Sequence, residues 1–554
     1  MDEVVAPLTS AHADAYKPKI IKAVVCVKRF NVTGTCVGME HYMVDISKKL
    51  DEIEKLVDGK RYFVINRARQ YGKTTTLFHL SNRLNKRSDL ICARITFEDA
   101  GLHSFDSEKA FCEMFLQKIA KSLRFTTAEK DYAQKWNKHN ISSFGKLSDH
   151  ITDMCEDKKL VLMIDEVDKA SNHFVFLKFL SVLRAKFLSR QEGMDYTFHS
   201  VILAGVTDIK NLKLKMISNG HYEPLSEEEK IISSPWNIAA SYNVDMSFNC
   251  KEISAMLGEY ETDAKTGMDI TGIAEKIHKY TSGYPFLVSR ICQCIDEELN
   301  KNWSVSGVEE AVRIILGESN VLFDDMVKNL ENYKNLHEFM YELLILGETK
   351  TFVIDNPVIS LANTFGYIKK RENGSRKIAV SNRIFESRMT FFFVSKDENM
   401  PYKGRARGTI YNDIVQNGKF DMVACLLKFA KHYREIYSVK EEHFFERHGR
   451  LLFISFLTPL LNGQGFIHIE TQLTDERRMD LVVDFEKEQF IVELKLWKGD
   501  VAKERAYKQL LGYMETKNAS EGYLLTFDFR KQKTGEYKAK WVEVGKKKVF
   551  DVVV

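Results

Sequence analysis

Between residues 62 and 77 the chain reads Tyr-Phe-Val-Ile-Asn-Arg-Ala-Arg-Gln-Tyr-Gly-Lys-Thr-Thr-Thr-Leu. Its first four residues are apolar, β-branched or aromatic, which predicts a short buried strand. A turn follows, and Gly72-Lys-Thr then opens a helix. Backbone N–H groups at such a helix start bind phosphates, the lysine reaches the outer phosphates, and a threonine hydroxyl ligates Mg²⁺. The segment therefore predicts a site for a nucleoside triphosphate.

The loop departs from the usual Gly-x-x-x-x-Gly-Lys-[Ser/Thr] pattern where Arg67 replaces the first glycine. This replacement removes no phosphate ligand. The alternative interpretation is that Gly-Lys-Thr begins a helix here by chance and binds no nucleotide. On the nucleotide interpretation Thr74 also ligates the metal. The candidate ligands of ATP are then Arg69, Gln70, Tyr71, Gly72, Lys73, Thr74 and Thr75.

Two further apolar runs carry polar residues at their ends. The run from 160 to 164 predicts a buried strand that ends in Asp165-Glu166. In ATPases of this kind the aspartate holds Mg²⁺ through water, and the glutamate polarises the water that attacks the γ-phosphate. The alternative is an ordinary solvated pair of acids. A third strand, from 201 to 204, is followed by Thr207, for which we predict contact with the γ-phosphate.

Composition sets limits on the class of protein. A chain of 554 residues is too long for one core, so we expect two to four domains. The net charge of +4 gives no overall attraction to nucleic acid, so any basic surface must be local. Nine cysteines without a repeating framework indicate free thiols in a reducing cytosol. No segment approaches 18 apolar residues, and we therefore expect a cytoplasmic protein without membrane insertion.

Periodicity divides the chain into six parts. Alternating strands and helices over 28–250 predict a parallel sheet covered on both faces, with residues 242–247 as its last strand. A helical lid is expected over 251–320, where Pro285 begins a helix. The other predicted parts are a lead-in at 1–27, a winged-helix-like module at 321–395, a linker at 396–408 and a last domain at 409–554.

The predicted wing is a basic hairpin around Asn373-Gly374, a strong turn signal. Two interpretations remain open for it: packing against the nucleotide domain, or contact with DNA. The basic residues concerned are Lys369, Lys370, Arg371, Arg376 and Lys377.

A second chemical pattern follows the linker. After a helical span at 412–461, residues 478–485 and 489–497 predict a hairpin, with Asp480 on one strand and Glu493 and Lys495 on the other. Glu493 and Lys495 are two apart and share a face, and Asp480 can lie beside them. Two carboxylates can hold Mg²⁺, which activates a water, while a lysine stabilises the developing charge. Charges on a solvated strand are the alternative, but the Glu-x-Lys strand is apolar on both faces.

These residues resemble the PD-(D/E)XK nuclease superfamily. Met479-Asp480 stands for the Pro-Asp of its motif and Glu493-Leu-Lys495 for the (D/E)XK. Glu446 matches an acid that the superfamily often carries on its first helix, and Gln509 and Tyr513 match a Gln-xxx-Tyr on a later helix. The resemblance implies that Glu446 and Gln509 assist catalysis, with Mn²⁺ as an alternative metal.

Residues 28 to about 400 resemble the AAA-ATPase-like, STAND-related proteins of prokaryotes, in which arginine at the first-glycine position is normal and a nuclease-like domain commonly follows the ATPase. The resemblance implies an α/β chain: a P-loop ATPase sheet with a helical lid and a winged-helix-like module, then a PD-(D/E)XK nuclease-like α/β domain. It gives no substrate.

The leading hypothesis is an ATP-controlled, Mg²⁺-dependent nuclease that acts on DNA or RNA, in a chain that can also form a homo-oligomer. One rival is a signalling switch whose nuclease fold only binds nucleic acid or a partner. The other is an ATP-driven remodeller that docks on DNA through its winged helix without breaking strands.

Overall fold

The structure is a computed structural model. It describes residues 28–126, 130–137, 141–171, 173–206, 236, 238, 245–345, 348, 350–371, 376–396, 413–416, 418–436, 446–461, 465–468, 481–485, 488–497, 499–528 and 538–554.

A four-stranded parallel sheet forms the centre of the N-terminal region (the described residues from 28 to 396), and its strand order is β3-β6-β5-β4. Alternate side chains of these strands enter two cores, one shared with α1 and α2 and the other with α3 to α6. Burial on both faces explains the continuous apolar runs in the sequence. The elements up to residue 205 are β1 Arg29–Phe30, β2 His41–Tyr42, α1 Ser47–Asp58, β3 Tyr62–Asn66, α2 Lys73–Leu84, β4 Ile91–Thr96, α3 Glu108–Thr126, α4 Lys130–Lys135, α5 Phe144–Cys155, β5 Leu160–Asp165, α6 Phe174–Gln191 and β6 Ser200–Gly205.

Helices follow the sheet, as predicted for the lid: α7 Cys250–Ala264, α8 Ile270–Thr281, α9 Pro285–Glu297 and α10 Val305–Gly317. Pro285 is the first residue of α9, where its missing N–H costs nothing. Gly283 before it has a φ of +73°, and a Cβ there would meet the Phe248 carbonyl oxygen at 2.0 Å, so only glycine fits. The expected strand at 242–247 is wrong for its described part, because residues 245–247 form none.

The next elements have the predicted winged-helix-like order, three helices before an antiparallel hairpin. Gly366, just before the hairpin, touches the nucleotide loop: a Cβ at this position would lie 2.9 Å from the Cβ of Ala68. Lys369 of the hairpin donates to Ser282 Oγ at 3.2 Å. The contacts agree with a wing packed against the ATPase. The elements are α11 Val321–Asn332, α12 Lys334–Leu344, α13 Pro357–Thr364, β7 Ile368–Lys370, β8 Ile378–Val380 and α14 Arg383–Lys396.

The C-terminal region (the described residues from 413 to 554) contains a mixed six-stranded sheet in the order β11-β12-β13-β14-β16-β15. Helices α15 and α16 pack on one face and α17 on the other. The predicted helical span at 412–461 is wrong at its start, where a short hairpin precedes α15. The elements are β9 Val415–Gln416, β10 Lys419–Phe420, α15 Met422–Ile436, α16 Glu446–Leu461, β11 Gly465–His468, β12 Leu481–Phe485, β13 Glu488–Leu496, α17 Asp500–Thr516, β14 Glu521–Phe527, β15 Lys538–Val544 and β16 Lys547–Val553.

The two regions meet where α14 and the lid approach β11 and β12. Arg383 Nη1 lies 3.1 Å from Asp484 Oδ2, and both side chains are largely buried, at 25% and 18% exposure. The Arg383 guanidinium lies over the Phe466 ring, and Phe466 packs 5.0 Å from the ring of Tyr280 on α8. The lid, the winged-helix-like module and the C-terminal sheet thus share one apolar junction with a central ion pair.

In the part of the chain that the structure describes, all eight cysteines are free thiols. Within the same residues, no helix has the combined length and apolarity needed to cross a bilayer.

Candidate functional site

The nucleotide loop connects β3 to α2. Gly72 has a φ of +79°, the left-handed conformation that glycine adopts without strain, and α2 begins at the next residue. Lys73 is 5% exposed, and its ammonium donates to the carbonyl oxygens of Arg67 and Ala68, each at 3.0 Å. Burial lowers the pKa of Lys73, because the charged ammonium has lost water. An incoming phosphate would offer the ammonium full negative charge, whereas its present hydrogen-bond partners are two carbonyl dipoles.

Acidic side chains at and just after the end of β5 act electrostatically on this lysine. The charges of Glu166, Asp168 and Asp165 oppose the effect of burial on the Lys73 pKa. Asp165 is 4% exposed, and its Oδ1 accepts from the Glu166 N–H at 3.0 Å. Glu166 has a φ of +53°, and burial raises its pKa above the ordinary value of 4.5. A strained, desolvated glutamate next to a buried aspartate suits the activation of water.

Asp168 was missed by the sequence analysis. It lies in a single helical turn directly after Glu166, and its Oδ2 accepts from the Val206 N–H at the end of β6. β6 lies between β3 and β5, so Asp168 joins the acidic strand end to the strand beside the nucleotide loop. In the sequence, the feature that could have identified Asp168 is its position three residues after Asp165. Thr207, the predicted γ-phosphate contact, lies outside the described residues.

Other predicted ligands in the loop are used for internal contacts. Arg69 Nε lies 2.9 Å from Asp325 Oδ2 of α11, and its carbonyl oxygen accepts from the Tyr284 hydroxyl. The Tyr71 hydroxyl lies 2.6 Å from Ser247 Oγ, and its ring packs 4.6 Å from that of Tyr284. These contacts tie the loop to the lid and to the winged-helix-like module.

The three remaining loop positions differ in what they can offer. Thr74, in the first turn of α2, is exposed and its carbonyl oxygen accepts from Arg94 at 3.4 Å. Thr75 Oγ1 accepts from the Cys36 N–H at 3.1 Å, so it secures the preceding segment. Gln70 has a φ of +55° and shapes the turn. Thr74 therefore keeps the hydroxyl available for a metal.

The second candidate site lies on β13. Glu493 is fully buried, and its Oε1 lies 2.8 Å from Lys495 Nζ, whose side chain is 23% exposed. Both residues project from the face that α17 covers, because they alternate with Val492 and Leu494 in the core of the opposite face. A buried carboxylate needs a cation close by, and Lys495 supplies that charge here.

Asp480 lies outside the described residues. The residue after it, Leu481, pairs with Val492, the residue before Glu493. The hairpin that the sequence predicts is therefore present, with β12 and β13 antiparallel. Within the described ranges, no group of three or more histidine, cysteine or acidic side chains is arranged to hold a metal ion.

Two further predicted residues lie on helices. Glu446 is the first residue of α16, and its side chain is not described. Gln509 Nε2 donates to the Tyr513 hydroxyl at 2.7 Å, which explains the Gln-xxx-Tyr spacing as a contact within one helix. Tyr513 is a buried residue of α17 that packs against the covered face of the sheet. Its hydrogen bond therefore holds the Gln509 side chain near that face.

A family comparison decides the class of the C-terminal region. Residues 466–538 match the family model of the PD-(D/E)XK nuclease superfamily. The matched segment contains the Glu493–Lys495 pair and α17, which confirms the resemblance inferred from the sequence.

Two solved structures show a distant similarity to about two thirds of this chain. A Walker-type ATPase of Pyrococcus abyssi has 10% identity and a TM-score of 0.42, covering 65% of this chain and 99% of its own. The Cdc6 protein of Pyrobaculum aerophilum has 14% identity and a TM-score of 0.29, covering 63% and 94%. The predicted α/β fold class is confirmed: a parallel four-stranded sheet with following helices precedes a mixed-sheet region whose residues 466–538 match the nuclease superfamily model.

One curated relative is an uncharacterised WD repeat-containing protein of Synechocystis. It is 24% identical over 258 residues, which cover 45% of this chain and 19% of that protein. The match therefore spans about a fifth of the relative's length.

Proposed function

We propose that this chain is a metal-dependent nuclease whose cleavage of nucleic acid is controlled by ATP. The observation that carries the proposal is the Glu493–Lys495 pair: a fully buried carboxylate lies 2.8 Å from the ammonium of a partly exposed lysine side chain, inside the segment that matches the nuclease superfamily. Burying a charge pair without a use for it would cost stability, because desolvation offsets much of the attraction.

In the proposed nuclease site, Glu493 and Asp480 hold Mg²⁺ or Mn²⁺, and Lys495 contacts the scissile phosphate or the attacking water. When bound, such an ion lowers the pKa of a coordinated water and neutralises charge on the phosphate. Glu493 suits an ion because a fully buried carboxylate requires positive charge close by, a requirement that Lys495 meets here. Gln509 and Glu446 are proposed to assist by positioning.

In the proposed ATPase site, Lys73 binds the outer phosphates, Thr74 and Asp165 hold Mg²⁺, and Glu166 accepts a proton from the attacking water. The buried ammonium and the buried acids of this site suit a magnesium–triphosphate, whose two charges complement theirs. Arg69, Gln70, Tyr71, Gly72, Thr75 and Thr207 stay candidates for further contacts in the nucleotide-bound state.

Control of cleavage by ATP is supported by a continuous set of contacts. The loop residue Arg69 pairs with Asp325 of the winged-helix-like module, and the last helix of that module places Arg383 against Asp484 of β12. β12 is the strand that follows Asp480. A nucleotide that changes the loop can therefore act on the nuclease hairpin through one intervening module.

The test is incubation of the full chain with labelled DNA and RNA, with Mg²⁺ or Mn²⁺, in the presence and absence of ATP. Cleavage should require the metal, disappear in Lys495→Ala, and persist without ATP dependence in Lys73→Ala. Lys548→Ala, an exposed lysine on the opposite face, is the matched control and should cut normally. Binding without cleavage in any condition would favour the switch or the remodeller.

A further inference from the structure

A row of paired residues crosses the PD-(D/E)XK sheet from the candidate site to its outer strand. Glu493 pairs with Leu524, Leu524 with Asp551, and Asp551 with Lys540. Paired residues of neighbouring strands project from the same face, so all of them lie on the face of Glu493.

The next row runs in the same way. Lys495 pairs with Thr526, Thr526 with Val553, and Val553 with Lys538. Lys538 and Lys540 therefore share the face of Lys495, three strand spacings away. At about 4.8 Å per strand this is about 14 Å, or the length of about four base pairs.

Asp551, the second acid of the row that starts at Glu493, is neutralised by a lysine of α17. Asp551 is 2% exposed, and its Oδ2 lies 2.6 Å from Lys503 Nζ and 2.8 Å from the Tyr507 hydroxyl, both on α17. Lys503 keeps a partly exposed side chain, at 23%. The surface between Lys495 and the outer strand therefore presents lysine charge, because both acids of the row are buried, Glu493 beside Lys495 and Asp551 beside Lys503.

The outer strand is built differently from the others. Nearly every side chain of β15 is exposed, including Lys538 and Lys540, whereas β14 and β16 are mostly buried and β13 has only two exposed residues. On the opposite face of the hairpin, Lys548 lies 3.9 Å from Glu543, so that side has mixed charge. The excess positive charge belongs to the face of the candidate site.

We propose that Lys538 and Lys540 of β15 bind the phosphate backbone of the nucleic-acid substrate, extending the contact surface from Lys495 across Lys503 to the sheet edge. This inference rests on the proposed nuclease function and adds where the substrate lies. Lysines at these positions contact phosphates and read no bases, so the surface gives affinity without sequence preference.

The test compares two double variants with the same change in net charge. Lys538→Glu/Lys540→Glu alters the proposed surface, and Lys431→Glu/Lys548→Glu alters exposed lysines on the opposite side, where α15 packs. Binding of labelled DNA and RNA oligonucleotides is measured with EDTA present across a salt series. The first variant should bind about tenfold more weakly, with a salt slope smaller by about 1.5, and the second should bind like the unaltered chain.

Cleavage kinetics with Mg²⁺ provide a second measurement: the first variant should raise KM and leave kcat unchanged. Equal losses in both variants, or no loss in either while the unaltered chain binds and cuts, would overturn the β15 surface and leave the nuclease proposal intact. Failure of the unaltered chain to bind or cut any oligonucleotide would overturn both.

Discussion

Lys73 of the nucleotide loop and Lys495 of the PD-(D/E)XK sheet are both withdrawn from water, yet their partners differ. Lys73 donates to two backbone carbonyl oxygens, and Lys495 forms an ion pair with the buried carboxylate of Glu493. Carbonyl groups carry only partial charge, so the first lysine retains its attraction for an anion. The second lysine and its carboxylate neutralise each other. On the proposed function, the first site therefore suits a phosphate, and the second suits a metal ion that takes over the role of the lysine charge.

The largest expected effect is that replacing each lysine reduces the rate of a different reaction. Lys73→Ala should reduce ATP hydrolysis about 10²–10³-fold, the loss typical of one charged group that stabilises a transition state. Lys495→Ala should reduce strand cleavage by a similar factor and leave ATP hydrolysis unchanged. Parallel steady-state assays of both activities measure this. If either variant lost both activities, the two sites would not be chemically separate.

The next effect concerns stability. Lys495→Met leaves the fully buried Glu493 without its lysine, and we expect the free energy of unfolding to fall by about 2 kcal/mol, discounted for the partial exposure of Lys495. Adding Glu493→Gln should restore most of the loss. Lys73→Met should change stability by less than about 1 kcal/mol, because it removes a desolvated charge together with its two hydrogen bonds. Urea denaturation measures all three, and equal losses would contradict the comparison.

A smaller effect concerns pH. Glu166 must be ionised to accept a proton, and burial raises its pKa above the ordinary 4.5. ATP hydrolysis should therefore fall as the pH drops through the raised pKa, by about tenfold per unit below it. The profile of kcat against pH measures this. An acid limb at the ordinary glutamate value would show that Glu166 is not the base.

The smallest effect concerns communication between the regions. Arg383→Ala should change the ATP dependence of cleavage a few-fold and leave basal ATP hydrolysis unaffected, since neither Arg383 nor Asp484 is a proposed ligand of ATP or of the nuclease metal. Lys396→Ala, on the same helix but paired within the N-terminal region, is the control. A charge swap, Arg383→Asp with Asp484→Arg, should recover part of the coupling, and its failure to do so would exclude this pair.

Local signals predicted the strands, the nucleotide loop and the start of one helix. The apolar run before Arg67, the Pro285 helix start and the Glu-x-Lys strand all lie where the sequence predicts them. These features depend on neighbouring residues, so periodicity and backbone chemistry reveal them.

Contacts between residues that are far apart in the sequence could not be predicted from periodicity and local backbone chemistry. Arg69 and Tyr71 were predicted as nucleotide ligands, but their side chains contact Asp325 and Ser247. Nothing in a single sequence couples positions so far apart, because the pairing depends on how the modules pack. Asp168 could have been predicted from the sequence, because it follows Asp165 by only three residues.

The exposed strand β15 has a consequence for solubility. Of the described strands it is the last in its sheet, with its outer backbone edge next to no other described strand. Lysine side chains along such an edge discourage two molecules from joining their sheets, because like charges would be brought together. Lys538 and Lys540 therefore also protect the protein against aggregation. Glutamate replacements keep this protection, whereas alanine replacements would favour self-association through the open edge.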